Sequence, residues 1–283
     1  MRKILLFSFV IILFLNTLSA QFSYESASTI GYGNSASAVP GFWSGMMNPA
    51  ALGWLSDHQL GINYYNKYLL KELGYRDIAY AHILNGESGT ISAHISQFGA
   101  SSLLYNTFSL GYSRVFADRV AAGLAIKYFL LTSDQPEYSG IGTIGFDAGL
   151  QVKIIDNLYF GTVVSNLNHS KLGTYGYDRL PIVGSLGFMY QVAKQSSLMV
   201  DIVKESDKKT SVRFGTNFSF NDKLYVRGGF QTTPSRVSFG VGYRITNFII
   251  DVSSSWHQTL GFSPAISMSY SFKKERQQPN IIY

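Results

Sequence analysis

The sequence has no cysteine among its 283 residues. That excludes a disulfide framework and thiolate metal sites. Charge is scarce, at 14% against about 25% in ordinary soluble domains. Beyond the first twenty residues no apolar run approaches the roughly eighteen residues of a transmembrane helix. Basic clusters are missing from the body of the chain. The formal charge of +6 owes much to Arg2, Lys3 and the tail Lys273-Lys274-Glu275-Arg276. What remains is near neutral and points to no nucleic-acid partner.

Chemistry-bearing motifs are equally sparse. The histidines at 58, 82, 94, 169 and 257 show no His-x-x-x-His spacing. The glycine-rich stretch GYGNSASAVPG, residues 31–41, follows no strand pattern and lacks a Gly-Lys-Ser/Thr ending, so it is no phosphate loop. His169-Ser170 reads as a chance neighbour pair in a serine-rich chain rather than a hydrolase pair. The sequence therefore assigns no catalytic residue, no metal ligand and no cofactor.

What the chain does have is a leader, aromatics and alternation. Arg2-Lys3, then the apolar run Ile4 to Leu15, then Thr17-Leu18-Ser19-Ala20 read as a secretory signal peptide over residues 1–20. Aromatic residues reach 15%. From about residue 57 the sequence falls into segments of period two. In 120–130, Val120, Ala122, Leu124, Ile126 and Tyr128 oppose Ala121, Gly123, Ala125 and Lys127. In 212–220, Val212, Phe214, Thr216, Phe218 and Phe220 oppose Arg213, Gly215, Asn217 and Ser219. Side chains alternate faces along a strand, so each segment has one apolar and one polar face. The segments run to about ten residues, the length of a tilted membrane-spanning strand, rather than the usual five or six or so.

Connections suggest the same arrangement. Tight turns are expected at Asn85-Gly86, Ala117-Asp118, Asp156-Asn157, Lys194-Gln195, Asn221-Asp222 and Thr246-Asn247. Longer links are expected around 67–74, 98–104, 131–141, 167–180, 204–209, 232–235 and 257–263. Short turns at one end and longer loops at the other are the pattern of outer-membrane barrels. The fold expectation is all-β: a monomeric antiparallel up-and-down transmembrane barrel over 57–272, with about fourteen strands and twelve as the alternative. The location it implies is the outer membrane of a Gram-negative bacterium, with membrane lipid as its surroundings. The inner face then carries Asp147, Lys153, Asp201, Arg213, Arg227, Arg244 and Asp251, together with several glycines. On the lipid face an Arg or Lys would cost about 2–4 kcal/mol at the midplane. A barrel of this size is too wide for its own side chains to fill, so either something occupies the lumen or it conducts.

Residues 21–56 supply a candidate occupant. Within WSGMMNPAALGWL, residues 43–55, Asn48-Pro49 suits a helix cap and first turn, Ala50, Ala51 and Leu52 can continue it, and Gly53 can stop it. Trp43, Asn48, Pro49, Ala50 and Trp54 are its marked residues, and 21–56 is expected to act as a lumenal plug. Residues 273–283 are expected to form a periplasmic tail.

Asn48-Pro49-Ala50 shortly before the first strand, with an alternating chain of about fourteen strands behind it, resembles the FadL-type superfamily. That group includes long-chain fatty acid transporters and the PorV/PorQ-type proteins associated with type IX secretion. The resemblance covers nearly the whole mature chain in layout and these three residues in motif. It implies an N-terminal hatch inside a fourteen-stranded barrel and passage of small hydrophobic molecules. Its second branch implies instead an accessory barrel that docks other envelope or secretion proteins. The chain is shorter than the fatty acid transporters, chiefly in its outer loops.

Overall fold

Alternation over residues 57–272 becomes fourteen strands in the computed structural model of the protein. The structure describes residues 24–272, apart from 86–87, 101, 135–139, 173–178 and 207. The expected signal peptide and C-terminal tail lie outside the described residues. The strands are β1 (Gln59–Asn66), β2 (Gly74–Ile83), β3 (Thr90–Ala100), β4 (Leu103–Phe116) and β5 (Val120–Ser133). Next come β6 (Ile141–Ile155), β7 (Leu158–Ser165), β8 (Val183–Ala193), β9 (Ser196–Glu205) and β10 (Ser211–Phe220). The last are β11 (Leu224–Thr232), β12 (Ser235–Ile245), β13 (Phe248–His257) and β14 (Gly261–Ser271).

Each strand pairs antiparallel with its sequence neighbours, and β1 closes on β14 through pairs such as Gln59 with Ser271 and Tyr65 with Ala265. Closure leaves no sheet edge, so backbone groups of the wall are satisfied without water. The two faces follow the alternation. Leu124, Ile126 and Tyr128 are exposed on the outside, Leu124 by 65%, while Ala121 and Phe129 are buried inside. In β14, Ile266 and Met268 face out, and Ser263, Ser267 and Ser269 are buried. Apolar side chains outside and small or polar ones inside suit hydrocarbon around the barrel.

Three of the tight turns use the left-handed region, which Asn and Asp tolerate and Ala and Thr do not favour. Ala117, Asp118, Asn221, Asp222 and Thr246 all take positive φ. At the opposite end, two links are shorter than the sequence suggested. β3 and β4 stay paired up to Ala100 with Leu103, and β11 and β12 up to Thr232 with Ser235. Pairing runs to the end of these strands, so 98–104 and 232–235 are hairpin tips rather than loops. The connection from β7 to β8 is the long one. β7 ends at Ser165, while β6 runs on past it, and residues 166–172 take over that stretch of wall, with Leu167 N donating to Phe146 O at 2.8 Å.

Residues 24–56 do not join the sheet. They form helix α1 (Ala27–Gly31), helix α2 (Phe42–Gly45) and a 3-10 helix (Pro49–Trp54). Helix α1 contacts β12, β13 and β14, and the 3-10 helix contacts β4, β5 and β6. The segment therefore touches opposite sides of the inner wall. Buried apolar side chains gather where it meets the strands, as in Phe42, Trp43, Met46 and Leu52 with Ala79 and Ala81.

Candidate functional site

Helix α1 starts where local chemistry permits. Ser26 caps it by accepting from Thr29 N, and Thr29 reciprocates toward Ser26 N at 2.9 Å. β1 then grips the helix start. Asn63 Oδ1 accepts from Ala27 N at 3.1 Å, and Asn63 Nδ2 lies 3.2 Å from Glu25 O and 2.7 Å from Asp77 Oδ2. From β13, two strands along the wall, Ser253 Oγ donates to Ala27 O at 2.5 Å.

Glu25 adds a charged tie. Its carboxylate meets Arg236 of β12 at 3.3 Å, and Arg236 also donates to Gln231 at 3.1 Å. Burial pushes the Glu25 carboxyl up, but the cations Arg236, Lys67 and Arg213 outweigh it and hold it down to about 2. Lys67, in the β1–β2 loop, is lowered to about 8, chiefly by burial, against the pull of Glu25. A carboxyl lowered in the folded state stabilises above its unfolded value and stops doing so as pH falls through the folded one. The Glu25 contribution is therefore complete above pH about 4.5 and is lost toward pH 2. We expect Glu25→Gln to flatten the pH dependence of the unfolding midpoint across that window, measured by urea titration of the purified barrel.

The middle of the segment threads between polar side chains of the wall. Arg213 Nη1 donates to Asn34 O at 3.1 Å. Ser37 donates to Asp201 Oδ2 from its backbone N at 2.9 Å and from its hydroxyl at 2.7 Å, and the same hydroxyl touches Ser185 Oγ. Ser37 O in turn accepts from Gln151 Nε2 at 2.9 Å and Asn48 Nδ2 at 2.7 Å. Glycines in the wall make this approach possible. A Cβ on Gly161 would overlap the Ser37 carbonyl, and one on Gly229 would overlap the backbone of Gly33.

The marked motif takes up the lower part of the segment, toward the end of the barrel where the tight turns lie. Asn48 caps the 3-10 helix, its Oδ1 accepting from Ala50 N at 3.1 Å, while its Nδ2 ties back to Ser37. Pro49 and Ala50 lie against Gly123, and Asn48 against Gly149. The helix continues through Gly53 to Trp54 and is 3-10 rather than α. Its turns close by three-residue bonds such as Leu55 N to Leu52 O. Trp43 packs edge-on to Phe42 with ring centres 4.9 Å apart, and Trp54 edge-on to Tyr159 at 5.9 Å.

All seven charges assigned to the inner face point inward, in different surroundings. Asp147 pairs with Lys127 at 2.5 Å and accepts from Asn166 N at 2.9 Å. Arg227 pairs with Asp251 at 2.5 Å and reaches Asn217 at 3.2 Å. Asp201 and Arg213 bond the segment, as above. Arg244 lies over the Tyr225 ring, 5.9 Å from its centre. Lys153 sits at the rim and pairs with the fully exposed Asp156 at 2.9 Å. Sequence reading put Lys127 and Gln151 on the polar face without assigning them a role, and it missed Asn63 and above all Glu25. The last had a signal: it is the one charged residue between 21 and 56. His169 and Ser170 do not form a pair. Ser170 Oγ meets Ile144 O and Asn166 Oδ1 instead.

Among the described residues, cavities lie between segment and wall at two places. The larger, about 110 Å3, is lined by Met46, Met47, Phe129, Val163 and Val203, with Arg213 among its polar groups. The smaller, about 50 Å3, lies by Trp43, Asn217 and Arg227. Buried there without a protein partner are Trp43 Nε1 and Asn217 Nδ2, a polar lining suited to water.

No family model matches the sequence, and no curated protein is significantly similar to it. Solved structures do share its shape. The Ralstonia pickettii toluene transporter TbuX is 15% identical, with 89% of this chain and 99% of that one covered and a TM-score of 0.64. The P. putida toluene transporter TodX is 12% identical, with 90% and 100% covered, at 0.65. A Pseudomonas aeruginosa FadL homologue is 14% identical, with 89% and 100% covered, at 0.61. At these identities the likeness is one of fold, and the chain shares the barrel fold of these three structures.

Proposed function

We propose that the protein is an outer-membrane barrel whose lumen is closed by residues 21–56 acting as a plug, and that it passes small, largely apolar molecules when the plug shifts. The observation that carries this is the 110 Å3 cavity between plug and wall, where Met46, Met47, Phe129, Val163 and Val203 supply apolar lining beside the polar groups of Lys127, Asp147, Glu205 and Arg213. An apolar cavity of about 150 Å3 suffices for a benzene-sized guest, so a modest plug movement would complete such a site. The similar folds of two toluene transporters support the reading. The apolar exterior supports the membrane location. The tight-turn end, where β1 begins and β14 ends, faces the periplasm in this reading, with 273–283 as a periplasmic tail. Uptake of a monoaromatic hydrocarbon by cells carrying the protein tests it. We expect uptake above vector-only cells, abolished by Met47→Arg, which replaces an apolar part of the lining with a larger cation. Equal uptake with and without the protein sinks the transport reading.

A second reading keeps the plug shut. The many hydrogen bonds from β1, β6, β9, β10 and β13 to residues 25–48 favour a static barrel that docks other envelope proteins. Co-purification of a stoichiometric partner, with no uptake, would favour it.

A further inference from the structure

The polar groups around the 110 Å3 cavity are not all paired. Asp147 is fully engaged. Its Oδ2 meets Lys127 at 2.5 Å and accepts from Ser165 Oγ at 3.1 Å, and its Oδ1 accepts from Asn166 N at 2.9 Å. Arg213 donates from Nη1 to Asn34 O. Glu205 is only half used. Its Oε2 meets Lys208 Nζ at 3.1 Å, while its Oε1 is buried with no hydrogen-bond partner. A buried acceptor without a donor is destabilising, and such atoms in native folds call for a missing partner.

Alternation puts Glu205 at the outer end of the cavity. It closes β9 at the long-loop end, and Val203 and then Asp201 follow it on the same face. Val203 is buried and lines the cavity, and Asp201 holds Ser37 of the segment. Elsewhere the wall is apolar, with Met46, Met47, Phe129 and Val163. Charge in the lining balances among the described residues, Lys127 and Arg213 against Asp147 and Glu205. An anionic guest would face two carboxylates, and an ammonium two cations. A neutral guest with one hydrogen-bond donor avoids both penalties and supplies what Oε1 lacks.

We propose that the cavity prefers a small apolar molecule carrying one hydroxyl, a phenol rather than a plain hydrocarbon, and that Glu205 selects it. The hydroxyl donates to Glu205 Oε1, and the ring lies against the apolar wall. This rests on the transport reading of the same cavity and narrows its substrate. Phenol and toluene test it, because a hydroxyl replaces a methyl at nearly constant size. Each is titrated calorimetrically into detergent-purified barrel, with protein-free micelles as the blank and benzoate as the anionic comparison. The wild type should bind phenol roughly tenfold tighter than toluene, since toluene leaves Oε1 unpaired, and benzoate more weakly than phenol. Glu205→Leu should bring phenol down to the level of toluene without weakening toluene. Glu205→Gln, which keeps an acceptor oxygen, should retain most of the preference. Both variants should keep the electrophoretic shift of a folded barrel on heating. Toluene bound as tightly as phenol by the wild type, benzoate bound more tightly than phenol, or a phenol preference that survives Glu205→Leu overturns the proposal and leaves the transport reading standing. Binding of neither ring removes both.

Discussion

Gly161→Val will drive residues 24–56 off the barrel wall. Gly161 faces inward from β7, and the first atom that a side chain there would strike is the Ser37 carbonyl oxygen. Neither side has an easy retreat. Ser37 is held by Asp201, Gln151 and Asn48, and the wall is pinned by Gly161 pairing with Gln151 on β6 and with Gly187 on β8. Overpacking usually costs 1–3 kcal/mol or so when side chains can shift. Here backbone would have to move, so the segment gives way as a unit. Val favours strands, so the barrel itself should still close. In planar bilayers we expect the wild type to be nearly silent and Gly161→Val to open steps of conductance. Gly184→Val is the control: a Cβ there meets nothing nearer than Lys204 O at 4.0 Å, and it should stay silent. Similar conductance in all three proteins would contradict the idea that the segment fills the lumen.

The second large effect lies at Arg227. Its side chain and that of Asp251 are 3% and 2% exposed, and they meet at 2.5 Å. Arg227→Ala leaves Asp251 buried beside Gly242 with its cation gone, and breaking a buried pair from one side costs about 3–5 kcal/mol. The same change removes the arginine stem that lies where a side chain on Gly31 of helix α1 would stand. Unfolding by urea should show the midpoint falling sharply for Arg227→Ala. In Arg227→Met/Asp251→Leu it should fall much less, because no charge is left stranded. A single variant as stable as the wild type would mean that water, not the pair, solvates Asp251.

Strand architecture was legible because period two repeats through the chain. Segments such as 237–245 declare an outer face of Val237, Phe239, Val241 and Tyr243 without reference to any partner strand, and the structure keeps that assignment. Link lengths were less legible. Whether 98–104 forms a loop depends on how far Ala100 and Leu103 stay paired, a property of two strands together. Asn48-Pro49 announced a helix start from local chemistry alone, and it is one. Where that helix ends, and its 3-10 form, were not in the motif, since Gly53 passes without stopping it. Helix α1 went unread although Ser26 and Thr29 form its cap, because neither stands out in a stretch rich in serine. The inward direction of Asp201 or Arg213 followed from alternation, but their bonds to Ser37 and Asn34 did not. Those join residues more than 160 positions apart, and no local pattern encodes them.

A cross-link offers the most direct test that residues 24–56 occupy the lumen. The chain has no cysteine, so a pair introduced by Ser37→Cys and Ser185→Cys would be its only thiols. The two hydroxyl oxygens touch in the structure, which places the side chains within reach of a disulfide. With the double variant assembled in the membranes of living cells, the account predicts that mild oxidation consumes both thiols within one chain and that reductant restores them. Thiols that remain open to a maleimide after oxidation, in a barrel shown to be folded by its heat-dependent migration, would contradict it.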